Sequence, residues 1–122
     1  MYEVAIKKTF SAAHCINDIG GKCEALHGHN FLVEVAVAAE SLNEEGLLLD
    51  FRILKQWTAE VLDQLDHKFL NELEYFQMNS PSSEQIARFL YERIAARLQP
   101  ANLHLSRVTV WESDHSAATY SL

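Results

Sequence analysis

The most constraining feature of this sequence is a strand pattern that two histidines introduce. From residue 29 to 39 the side chains alternate between two faces; Phe31, Val33, Val35 and Val37 share one face, and Leu32, Glu34, Ala36 and Ala38 share the other. A period of two predicts a half-buried β-strand. Since residues i and i+2 of a strand point to the same face, His27 and His29 are expected side by side, with Cα atoms about 6.5–7 Å apart.

This histidine pair predicts a metal site. A catalytic zinc usually has three protein ligands and one open position. His14, in the segment Phe10-Ser-Ala-Ala-His14, is the candidate third ligand. Gly28 separates the paired histidines and leaves room for a close approach of backbone or ligand. Cys23 lies four residues before His27, so a closed structural site of three histidines and Cys23 is the alternative.

Length and charge narrow the class of protein. The chain has 122 residues, the size of one domain, and 48% of them are apolar. Its net charge of −7 argues against a general affinity for nucleic acid or anionic membranes. The first residues do not resemble a signal peptide, no apolar run approaches the ~20 residues of a membrane span, and two cysteines do not make a secreted disulfide scaffold. We therefore predict a single domain, residues 1–122, in a cytoplasmic protein.

The remaining pattern predicts an α+β fold in the order β-β-α-α-β-β. Besides residues 29–39, alternation predicts strands over residues 2–9, 106–112 and 117–121. Strands at both ends with helices between them favour an antiparallel sheet covered on one face by two helices.

Two segments between the strands have helical spacing. The first follows Asp50, a good N-cap, and its apolar period extends to about Leu65 or Asp66. The second begins at Ser82, which forms a capping-box pattern with Gln85, and is expected to end at Pro100.

Two further places carry reactive side chains. Asp66-His67 falls at the end of the first helix or in the loop beyond it, where adjacent side chains can serve one site; the plainer interpretation is a histidine favoured by the helix dipole. Glu112 shares a strand face with Val108 and Val110. A carboxylate on an inward face needs a partner; the alternative is a strand-end residue in solvent.

Taken together, these motifs resemble one family. Phe10-Ser-Ala-Ala-His14, Cys23-x3-His27-Gly-His29-Asn30, Leu65-Asp66-His67 and Glu112 are similar to the 6-pyruvoyl-tetrahydropterin synthase / 6-carboxy-tetrahydropterin synthase family, over nearly the whole chain. The resemblance implies the tunnelling fold, in which subunits join their sheets side by side into a barrel, typically a homohexamer of two stacked trimers.

The resemblance also implies roles for the residues. It places a catalytic zinc on three ligands, which match His14, His27 and His29. It makes Cys23 the catalytic base, paired with Asp66 and His67. Substrate binding falls to Glu112, which anchors the pterin ring, and to Ser82 and Ser83, which match a segment that lines the pterin pocket. His104 and His115 match nothing catalytic and are expected at the surface.

The implied substrate is 7,8-dihydroneopterin triphosphate. The Cys23-x3-His27 spacing resembles the branch that forms 6-carboxy-tetrahydropterin with loss of triphosphate and acetaldehyde, a precursor of deazaguanine and queuosine. The pyruvoyl branch, which eliminates triphosphate without cleaving the side chain, tends to have a longer gap and is the alternative. A non-catalytic zinc-stabilised binding domain, with Cys23 bound to a closed metal, is the alternative of another class.

Overall fold

Two long strands form the centre of the computed structural model, which describes residues 1–16 and 26–122. Strand β1 spans Tyr2–His14 and strand β2 spans His27–Ala39. They pair antiparallel along their whole length, from Tyr2 opposite Ala39 to His14 opposite His27. Strand β1 is longer than the predicted residues 2–9, because Phe10, Ala12 and His14 continue its buried side.

The other strands extend this pair into a sheet of five. Strand β3 is Lys68–Phe69, β4 is His104–Ser113 and β5 is Ser116–Tyr120, and the order in the sheet is β3-β1-β2-β4-β5. All neighbours are antiparallel except β3, which pairs parallel with the end of β1. The predicted strands are confirmed, with β1 extended by five residues and smaller changes of bounds in the others. Strand β3 was not predicted, since two residues carry no alternation.

The helices follow their predicted starts but end sooner. Helix α1 is Phe51–Leu62, and the Asp50 side chain caps it by accepting a hydrogen bond from the Arg52 N–H. The predicted end near Leu65 or Asp66 is wrong: residues 63–67 form turns, and Leu65 is buried there without being helical. The helical spacing of apolar residues therefore continues beyond the end of the helix.

Two more helices follow. The short helix α2, Glu74–Met78, was not predicted. Helix α3 is Ser83–Ala95, and the Ser82 hydroxyl accepts the Gln85 N–H at 3.2 Å, which confirms the cap. It ends before Pro100, where the sequence pattern had placed its end.

The core lies between the sheet and the helices on one of its faces. Helix α1 packs on β1, and α3 packs on β4 and β5. Val33, Val35 and Val37 of β2 are fully buried against this layer. This arrangement confirms the predicted α+β class, while the barrel across subunits stays a prediction. Among the described residues, no helix is long and apolar enough to cross a membrane.

Candidate metal and catalytic site

The three predicted histidines converge on the helix-covered face, at the end of the β1–β2 pair. His14 lies directly opposite His27, and Ala12 lies opposite His29. Ring centroids are 4.5 Å apart for His14 and His27, 4.6 Å for His27 and His29, and 5.3 Å for His14 and His29. The alternation of the strands produces this cluster, because every second residue shares a face.

Glu112 joins the cluster as a fourth member. Its Oε1 atom lies 3.1 Å from Nε2 of His14, 3.5 Å from Nε2 of His27 and 2.8 Å from Nε2 of His29. The register of the β4–β5 pair shifts between Trp111 and Ser113. Glu112 lies within this irregularity and keeps the face that it shares with Val108 and Val110.

A hydrogen bond to Pro81 leaves the Nε2 atom of His14 able to bind a cation. The His14 Nδ1 atom lies 2.7 Å from the Pro81 carbonyl oxygen. A carbonyl can only accept, so Nδ1 carries the proton, and Nε2 of the neutral ring has a lone pair. That lone pair faces the Glu112 oxygen, itself an acceptor. Two acceptors at 3.1 Å need a proton or a metal ion between them.

His29 supports the same interpretation. Its Nε2 atom is buried and has no hydrogen-bond partner among the described residues, although Oε1 of Glu112 is only 2.8 Å away. Burial lowers the pKa of His29, and the neighbouring His27 and His14 lower it further against the opposing effect of Glu112. A neutral imidazole is the form that binds a metal.

The four groups fit a metal ion in number and kind. Their ligand atoms all lie within 4.8 Å of one another. Around a tetrahedral zinc, with bonds of about 2.0–2.1 Å, the ligand atoms are roughly 3.4 Å apart. Small side-chain rotations therefore suffice to close the set on one ion. Phe31 forms an apolar wall, with its ring centroid 5.4 Å from His14 and 5.5 Å from His29.

Asp66 and His67 lie at the edge of the sheet, in the loop after α1, as predicted. One oxygen of Asp66 accepts the Ser11 N–H at 2.9 Å, and the other lies 3.0 Å from Nδ1 of His67. The His67 N–H donates to the Ser11 carbonyl. The hydrogen bond from Ser11, followed by that from His67, holds the pKa of Asp66 below its ordinary value. The ionised carboxylate can therefore orient the imidazole.

His67 has an unusual backbone. Its φ of +60° is in the left-handed region, where it is the one non-glycine residue of the described chain. Residues other than glycine occupy that region at a cost, and such residues cluster at functional sites. Its side chain is 81% exposed.

A cleft of about 510 Å³ lies beside β3, at the edge of the sheet. His29 and His67 both line it, together with Ser11, Asn30 and Lys68. The cleft therefore brings His67 together with one histidine of the cluster, His29.

Comparison with known proteins identifies the family. The family model of 6-pyruvoyl tetrahydropterin synthase matches residues 3–122. The chain belongs to the 6-pyruvoyl tetrahydropterin synthase family. This confirms the resemblance drawn from the motifs, since the match spans all of them.

Individual relatives refine this picture. A Synechocystis 6-carboxy-5,6,7,8-tetrahydropterin synthase is 36% identical over 117 residues, covering 92% of this chain and 87% of the relative. The dihydroneopterin monophosphate aldolase of Pyrococcus furiosus is 35% identical over 111 residues, covering 91% and 90%. The structure of Caenorhabditis elegans 6-pyruvoyl tetrahydropterin synthase superposes with a TM-score of 0.84 at 28% identity, covering 100% of this chain and 97% of that one.

The other residues singled out from the sequence lie in different parts of the chain. Cys23, which the motif resemblance predicts to be the catalytic base, lies outside the described residues. Ser82 caps α3, next to the Pro81 carbonyl that contacts His14, so the start of α3 is beside the cluster. His104 and His115 are exposed, as expected.

The structure adds two points to the sequence interpretation. Glu112 was predicted to face inward, but its contact with the histidines was missed, because only the β2–β4 pairing brings it there. Gly28 was expected to permit a close approach. A Cβ built on it would meet only the Ala12 carbonyl oxygen at 3.7 Å, an ordinary contact, so the fold of the chain itself does not require glycine there.

Proposed function

We propose that this protein is a zinc-dependent lyase that forms 6-carboxy-5,6,7,8-tetrahydropterin. The substrate is 7,8-dihydroneopterin triphosphate, and with one water it yields the carboxy-pterin, acetaldehyde and triphosphate. The observation that carries the proposal is the convergence of three imidazole Nε2 atoms on one point, with His14 held in the metal-binding tautomer by Pro81. The similarity to named 6-carboxy-tetrahydropterin synthases favours this product.

His14, His27 and His29 would hold the metal. Neutral imidazoles suit zinc, and three of them leave the ion its charge. Bound there, zinc supplies a Lewis acid for the hydroxyl groups of the substrate side chain. Glu112 lies beside the same Nε2 atoms. We assign it to the pterin ring, because a carboxylate accepts hydrogen bonds from the amino and ring N–H groups of the pterin. In the substrate-free protein its charge faces the histidines instead.

We assign proton transfer to Cys23, His67 and Asp66. Cys23 acts as the base, and His67 exchanges the proton with solvent, since its ring is 81% exposed. Asp66 orients the His67 imidazole through the 3.0 Å contact to Nδ1. His29 and His67 line one cleft, which supports the action of His67 on a substrate bound beside the cluster. Ser82 and Ser83, at the start of α3, complete the pterin pocket.

The wider setting is part of the same proposal. A carboxy-pterin product belongs to queuosine and deazapurine biosynthesis, in the cytoplasm. The active protein is a homohexamer, a dimer of trimers, in which sheets join into a barrel. The acidic net charge of −7 fits a small-molecule enzyme without nucleic-acid or membrane partners.

A dihydroneopterin monophosphate aldolase is the second candidate, because a relative of that name is 35% identical over 91% of this chain. Aldol cleavage of that substrate would release a phosphorylated two-carbon aldehyde and no free phosphate. The pyruvoyl reaction, in contrast, releases triphosphate and no aldehyde. The small products therefore distinguish all three activities.

A product assay tests the proposal. Purified protein with its zinc quantified is incubated with 7,8-dihydroneopterin triphosphate, and separately with the monophosphate, and pterins and aldehydes are followed by mass spectrometry. We expect acetaldehyde and 6-carboxy-tetrahydropterin from the triphosphate. A pyruvoyl product without acetaldehyde, or turnover of the monophosphate alone, would replace the proposed reaction by the corresponding candidate.

Cys23→Ala separates the enzyme from a non-catalytic zinc-stabilised domain. As the base, Cys23 is dispensable for metal binding, so the variant should keep its zinc and fold while losing turnover. Ser116→Ala, at an exposed residue of β5, is the control. Loss of zinc and unfolding of Cys23→Ala alone would support a closed structural site.

A further inference from the structure

Asn71 holds the end of β1 through both polar groups of its side chain. It lies in the 3-10 helix Leu70–Glu72, which follows β3. Its Oδ1 atom accepts the Cys15 N–H at 2.9 Å, and its Nδ2 atom donates to the Cys15 carbonyl at 2.7 Å. A primary amide in this position replaces the backbone of a neighbouring strand. Cys15 directly follows His14.

The same segment is bonded to β1 at its other end. There the Asp66 carboxylate accepts the Ser11 N–H, and the His67 N–H donates to the Ser11 carbonyl. Between the two ends, β3 pairs with Ala12 and Ala13. Residues 66–71 are thus attached alongside residues 11–15, with side-chain hydrogen bonds at both ends of a two-residue strand.

This attachment fixes one reactive group relative to another. His14 lies within residues 11–15, and His67 lies within residues 66–71. A two-residue parallel pairing defines its register weakly, since few ladder bonds oppose a slip. Cys15 is 1% exposed, so losing Asn71 would leave the N–H and carbonyl at a buried strand end without these hydrogen bonds. The strand end would have to move to recover them.

We infer that Asn71 is a positioning residue, which sets the placement of His14 and its distance from His67 by anchoring Cys15. The inference rests on the proposed function for its catalytic consequence, but not for its effect on the metal site. Asn71 acts through the backbone and contacts neither substrate nor metal. Partners that orient a metal ligand typically change metal affinity or activity 10–100-fold when they are removed.

Asn71→Ala tests the inference, with Asn43→Ala as the matched control. Asn43 also makes two side-chain hydrogen bonds to backbone, to the N–H groups of Glu45 and Leu47, but in the loop between β2 and α1. At a temperature where both variants are folded, we expect kcat to fall about 10–100-fold in Asn71→Ala, with a smaller change in KM. Asn43→Ala should keep the kcat of the parent protein.

The second readout is independent of turnover. Cobalt(II) is loaded in place of zinc, and its visible d–d absorption reports the geometry of the histidine ligands. We expect shifted bands in Asn71→Ala and unchanged bands in Asn43→Ala. Asn71→Asp, which keeps the acceptor for the Cys15 N–H and loses the donor to its carbonyl, should lie between the parent protein and Asn71→Ala, and it remains useful if the alanine variant does not fold.

The outcomes separate the two proposals. Unchanged bands and unchanged kcat in folded Asn71→Ala or Asn71→Asp would overturn the positioning role. A parent protein without turnover on the pterin triphosphate would overturn the proposed function, while the cobalt spectra would still decide the role of Asn71.

Discussion

The histidine cluster and the Asp66–His67 pair are positioned by opposite means. The cluster stands on two strands of 13 residues each, paired along their whole length, and its innermost member, His14, is fully buried. His67 stands in a turn after α1, with an exposed side chain and a left-handed backbone. Regular backbone pairing positions the histidine cluster, whereas individual side-chain hydrogen bonds position the Asp66–His67 pair.

This difference has a physical basis. A metal ion needs several ligand atoms within a few tenths of an ångström, and a long antiparallel ladder holds them there through many hydrogen bonds. A proton carrier must reach both substrate and solvent, and an exposed turn allows both. The first region should therefore lose most when a ligand is removed. The second should respond to single contacts.

The largest effect is expected from His14→Ala. It removes a buried candidate ligand, so metal content should fall, and turnover should fall by more than about 100-fold, beyond the usual effect of a residue that only orients a ligand. Metal analysis and a turnover assay measure both. His104→Ala, at an exposed histidine of β4, is the control and should change neither. Retention of both zinc and activity in His14→Ala would show that the histidine cluster takes no part in the reaction.

Two substitutions of His67 test the second region, because they separate the effect of backbone strain from the loss of the imidazole. Both His67→Ala and His67→Gly should lose about 100-fold or more in turnover, the usual contribution of a general acid or base. Their stabilities should differ, because glycine occupies the left-handed region without the roughly 1 kcal/mol that alanine incurs. Urea unfolding measures this difference. Equal stabilities would show that the left-handed backbone at this position is not strained.

Glu112 sharpens the comparison from inside the cluster. In Glu112→Gln the side chain keeps its size and loses its charge. Because Glu112 is proposed to anchor the pterin ring, we expect kcat/KM to fall about 10–100-fold in Glu112→Gln, the effect of losing a hydrogen bond to a charged group. The metal content should not change. Glu34→Gln is the control, since Glu34 is paired with Arg107 on the opposite face of the sheet. Loss of metal with KM unchanged would make Glu112 a ligand instead.

The smallest effect concerns Asp66 and pH. Its pKa is lowered in the folded protein, first by the hydrogen bond from Ser11 and also by His67. The ionised group therefore stabilises the fold above its unfolded pKa of about 3.9, and this stabilisation is lost as pH falls through the lower folded pKa. The difference in unfolding free energy between the parent protein and Asp66→Asn should shrink between neutral pH and pH 3.

The control for this measurement is Gln64→Asn, at an exposed neutral residue two positions earlier, which changes no ionisable group. Its difference from the parent protein should stay small and flat over the same range. A stability difference for Asp66→Asn that grows on acidification would contradict the lowered pKa.

Much of the candidate site could be predicted from local pattern. Alternation placed His27 and His29 on one face, and it placed Glu112 inward with Val108 and Val110. The end of a helical period placed Asp66-His67 in a loop. Each of these conclusions depends on residues within one element, whose geometry repeats every two or 3.6 residues.

The contacts between elements could not be predicted in this way. The approach of Glu112 to the histidines depends on β4 lying next to β2, some 80 residues apart in the chain. The carbonyl of Pro81 on His14 and the amide of Asn71 on Cys15 depend on packing that leaves no period in the sequence. Strand β3 is too short to alternate.

The sequence by itself determined which side chains share a face and which family the chain belongs to, because strand alternation and motif spacing are local properties. Only the tertiary structure decided which faces meet, which tautomer His14 adopts and how the turn at His67 is attached to β1. Those outcomes depend on hydrogen bonds between residues distant in sequence, and strand order and packing create them.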